Sequence, residues 1–133
     1  MKVVVHVDGG SRGNPGPAAG AAVLCATDGE LLAQASELLG VATNNVAEYR
    51  GLLLGLRRAS ELGATEVELI NDSELVAKQL TGVYKVKHPD MRPLHAAALA
   101  ALRAFERWSI RSVPREQNAQ ADALVNAALD AAV

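Results

Sequence analysis

The sequence predicts an α/β fold built on a mixed five-stranded sheet. Three strands pair antiparallel, the third opens a β-α-β-α-β run, and helices cover both faces. Three observations carry this expectation. Val3-Val4-Val5-His6-Val7 is a β-branched run, and strand-like segments at Ala21 to Ala26 and Leu31 to Leu39 follow it after short turns. From Asn44 the apolar period becomes helical, with Tyr49, Leu52, Leu53, Leu56 and Ala59 recurring at three- and four-residue steps. Beyond Gly63 strands and helices alternate, which implies right-handed crossovers and parallel pairing.

The elements follow in order. The first strand is expected to stop at Asp8-Gly9-Gly10, and Ser11 to Pro17 is a turn rich in Gly and Pro. Thr27-Asp28-Gly29-Glu30 is the hairpin turn between the second and third strands. The first helix runs from Asn44 to Leu62 and ends at Gly63. Val67 to Ile70 is a strand, and Asn71-Asp72-Ser73 caps a helix over Glu74 to Leu80. Gly82 to Pro93 is irregular and carries Lys85, Lys87, His88 and Arg92. Leu94 to Arg107 is an alanine-rich helix, Ser109 to Val113 a short strand stopped by Pro114, and Ala119 to Ala132 a last helix. The order is β-β-β-α-β-α-α-β-α, with no internal repeat or linker, so residues 1–133 are expected to form one domain.

Half of the 133 residues are apolar, enough for a sizeable core, but aromatics number only four, so aliphatic and alanine side chains must fill it. The formal net charge of −2 argues against gripping a polyanion through bulk charge. Contacts to nucleic acid must come from local basic groups or bound cations. Cys25 is the single cysteine and forms no internal disulfide, which points to a reducing compartment. The apolar run at the start is too short for a signal peptide, and no stretch is long enough to span a membrane. A cytoplasmic protein is expected, monomeric and without an obligate protein partner.

Four carboxylates stand where this topology would gather them. Asp8 is expected to end the first strand and Asp72 ends the fourth, and the carboxyl ends of parallel strands form the binding crevice of open α/β sheets. Glu48 lies in the first turn of its helix, on the face of Leu52, Gly55 and Ala59. Asp122 lies in the first turn of the last helix, among Ala121, Leu124 and Val125. An acid facing a core requires a partner, and no lysine or arginine is placed to pair with all four. Divalent cations resolve this: hard oxygen ligands suit Mg²⁺ or Mn²⁺. Two such ions about 4 Å apart can activate water and stabilise the leaving oxygen of a phosphodiester. Each acid alone also reads as a turn residue, a helix cap or a helix N-terminal charge. His6, in a strand, and His88 and His95, distant in sequence, are not expected to be ligands.

The segments around the acids raise the specificity of this reading. Asp8-Gly9-Gly10-Ser11-Arg12-Gly13-Asn14-Pro15-Gly16-Pro17 resembles the opening motif of type 1 ribonucleases H. Thr43-Asn44-Asn45-Val46-Ala47-Glu48, Asp72-Ser73 after an apolar strand, and Asn118-Ala119-Gln120-Ala121-Asp122-Ala123-Leu124 resemble the second, third and fourth motifs, in family order. The resemblance spans nearly the whole chain. It implies a ribonuclease H-like fold and hydrolysis of the RNA strand of RNA–DNA hybrids with two Mg²⁺ ions, giving 5′-phosphate and 3′-hydroxyl ends. By the resemblance Asp8 bridges the ions, Glu48 and Asp72 help hold one, and Asp122 holds the other. Asn14, Asn44 and Asn45 match contacts to the hybrid's minor groove, Thr43 a contact to a DNA-strand phosphate, and Asn118 a residue beside the site.

Asn amides both donate and accept, as does the 2′-hydroxyl that distinguishes RNA from DNA; helix capping is the alternative for Thr43, Asn44 and Asn45. Two departures from the family pattern matter. The loop Val113-Pro114-Arg115-Glu116-Gln117 lacks the histidine of many members, so Arg115 is the candidate substitute, with a solvated loop charge as its alternative. Gly82 to Pro93 is too short for a long basic protrusion, which leaves Tyr84, Lys85 and Lys87 as a reduced substrate patch or a surface charge run. Two rival functions stand beside hybrid cleavage. One is another metal-dependent nuclease of the superfamily, such as a Holliday-junction or transposon nuclease, against which Asn14 and the Asn44-Asn45 pair argue. The other is a non-catalytic nucleic-acid-binding module, against which the presence of all four acids argues.

Overall fold

A computed structural model describes residues 1–132. Five strands, β1 (Lys2–Ser11), β2 (Gly16–Cys25), β3 (Leu31–Ala42), β4 (Glu66–Asn71) and β5 (Arg107–Ser112), form one sheet in the order β3-β2-β1-β4-β5. The helices are α1 (Asn44–Glu61), α2 (Glu74–Leu80), α3 (Arg92–Leu102) and α4 (Ala119–Ala131), and a 3₁₀ turn over Arg115–Asn118 leads into α4. β1–β2 and β2–β3 pair antiparallel, while β1–β4 and β4–β5 pair parallel. The mixed sheet and the element order are as the sequence predicts.

Several boundaries differ; β3 runs on to Ala42 rather than Leu39, and α3 starts at Arg92 rather than Leu94. β1 does not stop before Asp8 but continues to Ser11, because β2 starts at Gly16 rather than Ala21 and pairs it through Ser11↔Ala18. The turn shrinks accordingly to a few residues around Gly13. The alanine-rich helix ends at Leu102, and Arg107 opens β5 instead of closing the helix. No glycine marks that stop; the break comes where Phe105 turns into the core and Glu66 of β4 pairs with Arg107.

Alternation along the strands divides the core. Val3, Val5 and Val7 of β1, Ala22 and Leu24 of β2, and Val67 and Leu69 of β4 pack with Tyr49, Leu52, Leu56 and Ala59 of α1 and Ala98 and Leu102 of α3. Ala19 and Ala21 point the other way, onto Val125 and Leu129 of α4. The helices therefore lie on both faces. α1 starts where Thr43 Oγ1 accepts from the Val46 N–H, and it stops before Gly63, whose φ of +81° suits a glycine beyond a helix end.

Small residues let α1 lie directly on the sheet. A Cβ on Gly9 would collide with the Ala47 carbonyl, and one on Gly51 with the Asp8 carbonyl oxygen. A Cβ on Gly20 would lie 2.8 Å from the Gly51 nitrogen. The backbones of β1 and α1 thus touch beside Asp8 and Glu48. Alanine at position 51 would gain about 1 kcal/mol of helix propensity, but overpacking against backbone costs about 3 kcal/mol or more. Gly51→Ala is therefore expected to lose about 2 kcal/mol or more of stability, read as a lower urea midpoint; an unchanged or raised midpoint would contradict the close approach.

Candidate active site

Because β1 and β4 run parallel, their carboxyl ends lie side by side, and there a cleft opens that is lined by Asp8, Glu48, Asp72 and Asp122. Asp8 arrives from within β1, Asp72 follows the last residue of β4, Glu48 projects from the second turn of α1, and Asp122 comes from the first turn of α4. The sheet thus brings together four acids spread over more than a hundred residues of chain.

Burial governs the electrostatics. Asp8 is 6% exposed, and its carboxyl is pushed up to about 8. Desolvation is the largest cause; the charges of Asp72, Asp122 and Glu48 add to it, and a hydrogen bond from the Gly9 backbone opposes it. Glu48 is also raised, first by burial and then by Asp72, against opposing hydrogen bonds from Ser73 and Asn44. Asp72 is raised by burial; the Arg115 charge pulls it down and Asp122 pushes it up.

The neighbouring amides hold the acids rather than neutralise them. Asn44 Nδ2 donates to Glu48 Oε1 at 2.9 Å, while Asn44 Oδ1 accepts from the Ser11 N–H. Asn14 Oδ1 in turn accepts from the Asn44 N–H at 3.0 Å. Asn44 is thereby fixed as a spacer between the β1–β2 turn and Glu48. Thr43 caps α1, as its alternative reading had it. Asn45 makes no side-chain hydrogen bond among those of the described residues. Asn118 is 1% exposed and donates to the Val7 carbonyl at 2.8 Å. It ties the start of α4 to β1 one residue before Asp8. Tyr84, Lys85 and Lys87 are exposed but lie outside the lining of the cleft. Tyr84 instead accepts from Lys78 Nζ, which sits over its ring.

Arg115 does reach the cleft. Its Nη2 donates to Asp122 Oδ1 at 3.1 Å, which keeps the guanidinium firmly protonated. Two residues that sequence reasoning missed are also there, Arg12 and Asn126. The available signal was the spacing of Asp122, Asn126 and Asp130, one stripe of α4 at successive four-residue steps.

The donors fit a divalent cation. They are all carboxylate oxygens, and Glu48 Oε2 is buried without a hydrogen-bond partner among the described residues. No three of the carboxylates are drawn together closely enough to enclose an ion among the described residues, and Asp122 accepts from Arg115 and from Asn126 Nδ2. No helix is long and apolar enough to cross a membrane among those residues.

A sheet in this order, with acids gathered where β1 and β4 end, defines a ribonuclease H-like protein. The sequence matches the reverse transcriptase-like family over residues 6–128. It is 47% identical to ribonuclease HI of Halobacterium salinarum, over 97% of this chain and 65% of that protein. The crystal structure of RNase H1 from that archaeon superposes with a TM-score of 0.95 over 98% of both chains. The chain belongs to the type 1 ribonuclease H family. A bifunctional protein of Mycobacterium tuberculosis is 53% identical over 99% of this chain but only 36% of its own length, so the chain spans about a third of that relative. Its N-terminal RNase H domain, solved as a fusion with maltose-binding protein, matches with a TM-score of 0.96 at 51% identity, over 99% of this chain and 96% of that one. LC11-RNase H1, crystallised with an RNA/DNA hybrid, matches with a TM-score of 0.93 at 39% identity over 98% of both chains.

Clustered, desolvated acids oppose folding when ionised. Asp8 has a folded-state pKa well above its unfolded value, so the folded protein holds the proton more tightly. Stability contributed in this way is complete below about pH 4 and is lost as pH rises toward about 8. With divalent ions removed by chelator, wild type is expected to weaken between pH 5 and 8 by on the order of a few kcal/mol relative to Asp8→Asn, whose uncharged amide does not titrate. Urea melts of both proteins at three pH values measure the difference, and equal slopes would contradict it.

Proposed function

We propose that residues 1–133 form a ribonuclease H domain that hydrolyses the RNA strand of RNA–DNA hybrids, leaving 5′-phosphate and 3′-hydroxyl ends. The carrying observation is the four-acid cleft at the ends of β1 and β4, in a chain whose relatives include one crystallised with such a hybrid. Asp8, Glu48, Asp72 and Asp122 would hold two divalent ions, Mg²⁺ with Mn²⁺ as a substitute. Bound there, the ions supply activation of water and neutralisation of charge at the scissile phosphate. Family membership supports divalent-metal dependence; the oxygen donors favour the hard ions.

The chain's own residues orient and discriminate. The bond from Asn44 engages one oxygen of Glu48 and leaves Oε2 without a hydrogen-bond partner among the described residues. Asn14 Nδ2 and the Asn45 amide are the groups left to read the 2′-hydroxyls. Arg115 stays cationic and so cannot act as a general base. Its exposed guanidinium can leave Asp122 for a phosphate oxygen, gripping it through paired hydrogen bonds. Tyr84, Lys85 and Lys87 would meet the duplex only away from the cut site. A cytoplasmic monomer is part of this reading, the lone cysteine favouring a reducing compartment.

The test is cleavage of RNA–DNA hybrid, duplex DNA, duplex RNA and single-stranded RNA, with and without Mg²⁺. Metal-dependent cutting of the hybrid's RNA strand is expected, with Asn45→Ala slower by about fivefold per lost hydrogen bond of ~1 kcal/mol. Comparable cutting of duplex DNA would make this a different nuclease of the superfamily, and binding without cutting a non-catalytic module. In the same assay Arg115→Ala is expected to lower turnover about tenfold, or ~1.4 kcal/mol, with little change in Mg²⁺ dependence. Arg115→Lys should recover only part of the rate, because an ammonium lacks the fork. Wild-type turnover in Arg115→Ala would return the residue to a solvated loop charge.

A further inference from the structure

We propose that Arg12 is a second phosphate-binding residue, which holds the RNA strand at a phosphate other than the one Arg115 meets. The assignment rests on the reading that the cleft receives an RNA–DNA hybrid. The cleft is lined by four acids, while the cations lining it are Arg12 and Arg115. A polyanion laid against carboxylates needs cations at its phosphates, and the chain's net charge of −2 provides no general attraction.

The two arginines stand in parallel arrangements. Arg115 Nη2 is paired with Asp122. Arg12 Nη2 is paired with Asp130 Oδ1 at 2.6 Å and lies 3.4 Å from the Asn126 carbonyl. In each case a single terminal nitrogen is engaged, and Nε and the other terminal nitrogen make no hydrogen bond among those of the described residues. Asp122 and the Arg12 partners Asn126 and Asp130 lie four and eight residues apart on α4, roughly 6 and 12 Å along its axis. The two guanidiniums are therefore held by different turns of α4, with the Asn126 side chain between their anchors. Asp130 is 69% exposed and Arg12 44% exposed, so the pair is a weak, solvent-screened one that an incoming phosphate can displace.

The backbone beneath Arg12 is built to stay in place. Its N–H donates to the Pro17 carbonyl at 2.8 Å. The adjacent Ser11 Oγ lies within hydrogen-bond reach of the carbonyls of Gly13, Gly16 and Ala42 and has one proton to share among them. Gly16 has no room for a Cβ against the Arg12 carbonyl. The turn is thus fixed while the side chain above it is exposed, which is the arrangement that presents a charge without ordering a loop on binding.

Steady-state cleavage of one hybrid across a KCl series, at saturating Mg²⁺, separates a phosphate contact from a structural strut. For Arg12→Ala, KM is expected to rise about tenfold at low salt, as for the loss of one charge-assisted hydrogen-bonded contact. Turnover should stay within about twofold, and the slope of log KM against log salt should fall by about 1. Arg12→Lys should keep the salt slope. Asp130→Asn frees Arg12 and should leave KM unchanged or lower. If Arg12 were only a strut between the turn and α4, Asp130→Asn would raise KM as Arg12→Ala does; that result, or an unchanged salt slope in Arg12→Ala, overturns the assignment. A wild type that leaves hybrid uncut overturns the reading of the cleft and this assignment with it.

Discussion

The site depends on one contact, the backbone-to-backbone approach of α1 to β1. Glu48 can stand beside Asp8 only because the helix lies on the strand with no side chain between them. The glycines at positions 9 and 51 make that possible by clearing the way for the Ala47 and Asp8 carbonyls. Any Cβ there would push the helix outward and carry Glu48 with it. The stripe of Tyr49, Leu52 and Leu56 then fixes the helix rotation, so the hydrophobic core sets the direction in which the carboxylate points. Packing and catalysis are the same geometric requirement at this place in the fold.

Within that frame the acids are kept at a cost to the folded state. Desolvation and mutual repulsion raise Asp8, Glu48 and Asp72 together. The surrounding hydrogen bonds orient the carboxylates but leave their charge uncompensated, as the unpartnered Glu48 Oε2 shows. A site that satisfied all its own acids would have little affinity for a cation. Arg115 is the partial exception, yet it is 75% exposed on its side chain and joins only Asp122. Its bond is weak enough to be exchanged.

Much of this was legible in the sequence because periodicity and motif spacing are local signals. Apolar patterning alone placed Asp72 at a strand end and Asp122 in a first helical turn, whereas Asp8 lies inside β1 and Glu48 in the second turn of α1. The extension of β1 through Gly9 and Gly10 was not legible: two glycines read as a turn, and only pairing with Gly20 and Ala19 of β2 keeps them extended. The end of α3 at Leu102 was hidden for a similar reason, since Arg103-Ala104 has helical propensity and the stop comes from tertiary packing. Asn118 matched a motif but gave no sign of its burial, which arises from a bond to Val7, 111 residues away. Arg12 lies inside the opening motif, more than a hundred residues along the chain from Asn126 and Asp130. Its partners on α4 are visible only once the turn and the helix are in space.

The order in which the acids occur along the chain has a consequence for biosynthesis. β1 lies at the centre of the sheet, but its parallel partner begins at Glu66, and Met1 itself is bonded to Thr65. A ribosome must therefore release more than half of these residues before the central strand has both neighbours. Asp122 arrives later still, on the last of the described helices. A nascent chain carrying the first three acids has an unfinished cleft until α4 docks.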